Sequence, residues 1–527
     1  MTGSPGIDLP WPMLVRQANR NRVLFLLFQA YHLAMLWLMV EPMRLETLMA
    51  SAVLNIIAYG GLLFNEFRCS PAGLTPFMTY LIAGLLRIGF GAFHLAMIYA
   101  SGLFYELRVG RFPVDADLLY GQFLLMAADW LLIASYCLVD RNLSVAAGMM
   151  LPQRHLSLRT TVLSIALCLA LGWFFKVLGV LGVSMVRTSF LPKLLATVLP
   201  VAASYLMLVF SETQTRYKTL IRWSAYGFVL VDCALSLGGY MKSGVLIAGL
   251  PIVFYKVNQL RVDWGRGDLL QTFKRMVPLA VTLLGVALVF FPFNEIRRSR
   301  GDSQRVESYP VLPDLVAALE GAIPGTEAFR ETHEFPRRGF WGLVQRHCIG
   351  ATAACFYRLT IIYGTLEGQF FLDEIVSLVP RILWPDKPIY RPGAKCSAIL
   401  GLASYEEKAT TSTDAGGIAG ALFFNWGWPA VIIGMLLNGA LMASYCRIAM
   451  PRMKHNPAAA AGCTLLFVET LRYFESSFGG NINLFFLLFV VACPLMIFWE
   501  KMVHASPVAG IRWRTGVSPV GAPSSVR

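Results

Sequence analysis

Between residues 381 and 395 the chain reads RILWPDKPIYRPGAK, which sets Arg381, Lys387, Arg391 and Lys395 among Pro385, Pro388 and Pro392. Each proline fixes φ and removes an amide donor, so a regular helix or central strand is excluded and an irregular loop held in one shape is expected. Cations on a stiff loop suit an anion: arginine's planar fork matches phosphate oxygens, and lysine supplies a point charge. Trp384 and Tyr390 have an apolar body and a polar tip, the kind of side chain that settles at a membrane interface. Two uses fit these residues, anchoring on lipid headgroups or seating a phosphorylated substrate. Asp386, between Pro385 and Lys387, suits holding those cations in order as well as it suits chemistry.

Further cations and acids could join such a site. Lys242 stands at the mouth of a short apolar run beside Gly244 and Ala248, a small-xxx-small pair that allows close helix approach. It serves equally as a headgroup anchor or a phosphate contact. Arg346, His347 and Arg358 interrupt the apolar stretch that ends near 363. Proton acceptors are plentiful in the same segment: Asp373, Glu374, Asp386, Glu406, Glu407, Asp414 and His347. Spacing singles out none of them, and Asp414 leads because it immediately precedes an apolar run. Of the ten cysteines, Cys348 and Cys355 would lie about 10 Å apart along a helix, too far to bridge. No metal-ligand spacing occurs, so neither a disulfide framework nor a metal centre is expected.

The elements that must position these residues are apolar. Of 527 residues 56% are hydrophobic and only 14% charged, against roughly a quarter charged in soluble domains. About twelve runs are long enough for a hydrocarbon core about 30 Å thick. They cover 23–40, 47–64, 77–100, 118–139, 160–182, 190–210, 219–238, 241–256, 275–293, 417–446, 457–473 and 482–500. Backbone groups in lipid must be satisfied internally, and runs of this length exclude a barrel. The expected fold class is therefore an all-α polytopic membrane protein, a bundle of about 12 transmembrane helices (10–14) with one large periplasmic loop containing short amphipathic helices. The first run has no small-residue cleavage pattern behind it and reads as a retained signal-anchor.

A net charge of +14 could suggest nucleic acid, but orientation accounts for it. Sorting Lys and Arg by alternate loops groups Arg16, Arg20 and Arg22 with Arg141, Arg154 and Arg159, then Arg216, Lys218 and Arg222, the cluster from Lys256 to Arg275, and Arg447, Arg452 and Lys454. By the positive-inside bias that side is cytoplasmic, as are both termini. The chain then divides into an N-terminal bundle (1–293), a periplasmic segment (294–416), C-terminal helices (417–502) and a disordered cytoplasmic tail (503–527) rich in Ser, Pro and Gly. The apolar piece before 363 is expected to lie along the outer interface or dip into it.

Ionisable groups inside spans cost about 2.5–3.5 kcal/mol each, so each needs a reason. Arg87 and Asp129 fall at similar depth in adjacent antiparallel spans and are expected to pair, a place on a substrate path being the alternative. Lys176 and Asp232 are expected to snorkel or to pair. His32 and His94, lone among apolar neighbours, read as core histidines.

A wider pattern surrounds the opening stretch. LVPRILWPDKP is followed some way on by TSTDAGGIAGALFFNWGWPAVIIGMLLNG. Together these resemble the Wzy-type O-antigen and exopolysaccharide repeat-unit polymerases, over roughly 376–445. Lys242 and Ser243 form a weaker second element. The resemblance implies a GT-C-like glycosyltransferase of the bacterial inner membrane, with its active site on the periplasmic side. Its substrate would be a polyprenyl-diphosphate-linked oligosaccharide, extended without cofactor, nucleotide sugar or metal. By correspondence with the motif the resemblance implies Arg381 and Arg391 as catalytic candidates and Lys387 as a substrate contact, with Lys242 and Arg358 as weaker contacts. Asp414, from its place before the apolar run, joins the catalytic candidates, and Trp384 and Tyr390, from their side chains, join the substrate contacts. Implied partners are membrane lipid, a chain-length regulator and a flippase, with no nucleic acid.

Two other readings stand beside it. One is an O-antigen ligase or another polyprenyl-linked glycosyltransferase. Metal-dependent enzymes of that class carry acids in the first outer loop, which here is only EPMRLE, with Glu41 and Glu46. The other is a lipid-linked oligosaccharide flippase or polysaccharide exporter, for which matching broken helices in two halves are expected.

Overall fold

The computed structural model describes residues 11–39, 44–69, 74–100, 108–109, 112–113, 115–146, 158–181, 190–213, 217–238, 242–265, 349–368, 392–400, 416–453, 456–471 and 478–505, with single residues 274, 277, 327, 376 and 384. All of the expected span 275–293 but residue 277, most of 294–348 and the tail beyond 505 lie outside the described residues. Helix dominates what is described. In chain order the helices are α1 (Trp11–Leu38), α2 (Leu45–Cys69), α3 (Pro76–Ala100), α4 (Leu118–Ala146), α5 (Leu158–Val180), α6 (Phe190–Thr213), α7 (Lys218–Gly238) and α8 (Lys242–Gly265). There follow α9 (Gly350–Tyr363), α10 (Pro392–Ile399), α11 (Gly417–Trp426), α12 (Trp428–Ala449), α13 (Pro457–Leu471) and α14, which runs from Phe478 to Ala505. A two-residue antiparallel ladder, Arg108–Val109 with Phe112–Pro113, precedes α4.

Among the described residues six helical stretches are long and apolar enough to cross a membrane, and the chain is a helical membrane protein. They are Leu45–Arg68, Pro76–Ala100, Leu118–Asp140, Leu195–Glu212, Trp428–Arg452 and Leu484–Lys501. Three others of the twelve expected runs appear as shorter apolar helices, Val162–Leu178, Ile247–Val257 and Pro457–Thr470, and Gly417–Trp426 is a further short apolar helix at the start of the 417–446 run.

Local sequence explains where several helices begin. Thr75 caps α3 by accepting from the Met78 amide at 3.2 Å, and Pro76 follows where no amide donor is needed. Asn456 does the same for α13, accepting from Ala458 and Ala459, with Pro457 next. Within α3, Leu85–Gly91 forms a π turn, which disturbs the carbonyl ladder. Gln122 of α4 supplies a side-chain donor there, to the Ile88 carbonyl at 3.0 Å.

Helix α4 is the spine of the larger group, packing against α1, α9, α11 and α12. It runs parallel to α12: Phe123 meets Trp428, Ser135 donates to the Leu436 carbonyl at 2.6 Å, and Asp140 meets Arg447. Gly439 makes this approach possible, since a Cβ there would collide with the Leu132 carbonyl. A second group gathers α5, α7 and α8 around α6, and α13 joins the two by packing on both α6 and α3.

Both expected intramembrane ion pairs form. Arg87 donates to Asp129 at 2.5 Å, and the same carboxylate accepts from Tyr59 at 3.0 Å and Tyr80 at 2.6 Å. Lys176 reaches Asp232 at 2.5 Å, tying α5 to α7. Two charges expected in cytoplasmic loops behave otherwise. Arg22 lies within α1, almost fully buried, donating to both oxygens of Glu66 (2.6 and 2.7 Å) and to Asp140 (2.7 Å). Arg447 lies within α12 and pairs with the other oxygen of Asp140. These arginines are taken up by helix–helix contacts, which a count of loop charges does not register.

Residues 417–446, expected as a single kinked span, are two helices. Gly427 separates them with φ 67° and ψ −152°, a conformation that only glycine adopts without strain. A Cβ on Gly434 would lie 2.6 Å from a methyl of Leu422. Twelve residues of unbroken helix would span about 18 Å, so the chain folds back at Gly427 and α11 packs against α12.

Candidate functional site

The region where α4, α9 and α11 meet combines charge, exposure and aromatic surface. Asp117 ends the short 3-10 turn Asp115–Asp117 that leads into α4, and Tyr120 follows one turn later on the same face. Helix α9 runs antiparallel to this end of α4. Its Gly350 and Ala354 press on Gly121, where any Cβ would collide, Tyr357 faces Tyr120, and Arg358 reaches Asp117. The apolar stretch expected to lie along or dip into an interface is, in its described part, packed into the bundle. Ala353, Ala354, Cys355 and Phe356 are fully buried there.

Tyr357 is sandwiched between two rings, Tyr120 at 4.9 Å and 12° and Phe423 of α11 at 4.9 Å and 13°. Phe423 in turn meets Trp428 edge-on at 5.4 Å, and Trp428 meets Phe123 at 5.7 Å. Beside this stack Arg358 Nη1 donates to Asp117 Oδ2 at 3.1 Å. The side chains retain 38% and 17% of their exposure, far more than the 10% and 4% of Arg22 and Glu66. Burial pushes the Asp117 carboxyl above its ordinary value, and the Arg358 guanidinium opposes that shift without cancelling it.

The segment after α9 clasps α11. Leu366 donates to the Phe424 carbonyl at 3.0 Å and Gly368 to the Asn425 carbonyl at 3.3 Å, occupying acceptors at the end of that helix. At the other end Gly416, with φ 81°, lies against Ala353 of α9, where a Cβ would come within 2.6 Å of the Ala353 Cα. The small-residue run of the sequence therefore forms one side of the same assembly as Arg358.

Of the residues singled out from sequence, Arg381, Lys387, Tyr390, Arg391 and Asp414 lie outside the described residues. Trp384 is exposed. Lys242 is the first residue of α8, a helix that continues to Gly265, well past the 256 at which its apolar run ends. The C-terminal end of RILWPDKPIYRPGAK is a correction: Pro392 to Lys395 open helix α10, although the whole stretch was expected to be irregular. Proline is tolerated at a first helical position because its missing amide has no intrahelical role there. Buried Cys396 and Leu400 join α10 to the main core, so the basic stretch is anchored to the bundle at this end.

Asp117 was missed from sequence. Its signal, an acid directly ahead of an apolar run in RFPVDADLLYG, is a common helix-start pattern and carries no hint of a partner 241 residues away. No family model, curated protein or solved structure matches this chain.

Proposed function

We propose that this protein is a membrane glycosyltransferase that polymerises polyprenyl-diphosphate-linked oligosaccharide repeat units into O-antigen or exopolysaccharide on the periplasmic face of the bacterial inner membrane. One observation carries the reading. The end of the segment bearing the polymerase-like pattern folds as α11, packed against α9, and α12, packed on α11, beside a partly exposed arginine, a carboxylate and an aromatic stack. In this reading about twelve spans cross the membrane, both termini are cytoplasmic, and the α4–α9–α11 junction faces the periplasm with residues 294–416. Arg381, Lys387 and Arg391 hold the diphosphate or the glycan, with Lys242 at the rim. Displacement at an anomeric carbon needs a base for the acceptor hydroxyl and cations for the leaving diphosphate, and no metal or cofactor enters. A stacked aromatic surface beside these charges suits the apolar face of a sugar ring.

The test is elongation in vitro. Purified protein supplied with the lipid-linked repeat unit should yield longer lipid-linked glycans. Absence of elongation with translocation of the lipid across vesicles would replace this reading with transport. Transfer to lipid A core without elongation would make the protein a ligase.

A further inference from the structure

We propose that Asp117 is the general base that deprotonates the acceptor hydroxyl, with Arg358 as its positioning residue. The inference rests on the glycosyltransferase reading above and names a residue for its unassigned proton transfer.

Glu66, Asp140 and Asp129 are enclosed ion-paired carboxylates, whereas Asp117 and Glu500 each give one oxygen to one arginine and stay partly open. In the reading above Glu500, near the end of α14, lies on the cytoplasmic side, which leaves Asp117 on the side of the reaction. Glu66 has both oxygens engaged by Arg22, Asp140 is shared between Arg22 and Arg447, and Asp129 accepts from Arg87, Tyr59 and Tyr80. Each of these carboxylates has both oxygens engaged by protein donors, and all three are buried. Asp117 gives only Oδ2 to Arg358, and among the described residues Oδ1 accepts from no side chain. A base needs a carboxylate that is fixed in place yet has an oxygen left for the incoming proton. Asp117 meets both conditions.

Its surroundings fit the task. Arg358 keeps the carboxylate oriented through one oxygen and supplies positive charge beside it. Tyr120, one turn along α4, and Tyr357, the neighbour of Arg358, stack beside the pair and fix the two helices that carry it. The other titratable group that senses Asp117 from α9 is the buried Cys355 thiol. Burial raises the Asp117 carboxyl, moving a weak base toward the strength that acceptor deprotonation requires.

The step balances. The acceptor O–H bond breaks, and its proton passes to Asp117 Oδ1. The freed oxygen bonds to the anomeric carbon of the donor glycan, and the bond from that carbon to the diphosphate oxygen breaks. The electron pair leaves on the polyprenyl diphosphate, and the neutral carboxyl later returns its proton to water.

The experiment uses the full chain in liposomes with lipid-linked repeat unit isolated from the host's membranes, and scores elongation rate against pH. Asp117→Asn should slow elongation about 100- to 10,000-fold, the usual worth of a general base, with its thermal transition kept in place. Asp117→Glu should retain part of the rate with a displaced acid limb, and formate should restore part of the rate lost in Asp117→Ala. If wild type elongates and Asp117→Asn matches it, the base assignment falls while the polymerase reading stands. Should Asp117→Asn fail to fold, an unchanged acid limb in Asp117→Glu overturns the assignment. A wild type that never elongates removes the polymerase reading and this step with it.

Discussion

The two ends of α4 carry the same chemistry under opposite conditions. At its C-terminal end Arg22 is enclosed by Glu66 and Asp140, with Phe77 and Tyr136 at 5.4 and 5.9 Å beneath its guanidinium, and Arg447 completes the set. Four helices, α1, α2, α4 and α12, are tied at that point by groups that pair with one another. At the N-terminal end Asp117 gives, among the described residues, one oxygen to Arg358, and both side chains are partly open. Enclosure favours structure, because buried charges are tolerable only when every partner is present. Openness favours chemistry, because a weakly committed charge can exchange its partner for a ligand.

Four measurements would break or sharpen this contrast. Arg22→Ala leaves buried Glu66 without its partner and Asp140 with Arg447 alone, and should cost about 3–5 kcal/mol, read by thermal or denaturant unfolding in micelles. A cost no larger than that of an exposed pair would erase the distinction between the ends. Gly427→Ala forces a Cβ into a glycine-only conformation and should cost about 1–3 kcal/mol, with loss of elongation exceeding the loss of stability, because α11 carries Phe423 into the stack. Unfolding and elongation measured on the same preparation test that ratio.

Arg358→Ala should change stability by no more than about 1 kcal/mol, as expected for a partly exposed pair, while elongation collapses. A large stability loss with activity retained would make the open end structural too. The pH response should divide by sign. The native Asp117 carboxyl lies above 3.8, so elongation should fall as pH drops through its native value and the base takes up a proton. In the window between 3.8 and that value the native group binds a proton that the unfolded chain has released. Its contribution to folding therefore grows, slightly, as pH falls. Rate and melting transition followed together over acid pH should move in opposite directions as far as this group is concerned.

Parts of this architecture were legible in the sequence because they rest on local or one-dimensional rules. Run length and composition specify a helical membrane protein. Equal depth in antiparallel neighbours brings Arg87 to Asp129, and a pairing rule for buried charges brings Lys176 to Asp232. NWGWP announces an interruption because glycine and proline act on their own backbone, and the interruption stands at Gly427.

What the tertiary structure decided depends on how distant helices are rotated and tilted, which no local rule encodes. An unbroken 417–446 and a folded-back α11 and α12 share one hydropathy profile, and only the contact of Leu422 with Gly434 separates them. Arg22 and Arg447 look like orienting loop charges until Glu66 and Asp140 are brought to them. Asp117 looks like a helix-start acid until α9 sets Arg358 beside it, held there by the close approach of Gly121 to Gly350 and Ala354. Composition and run length thus determined that the chain would be a helical membrane protein. Which charges would be enclosed, and which left open for chemistry, was decided by packing, because enclosure is a property of several helices at once.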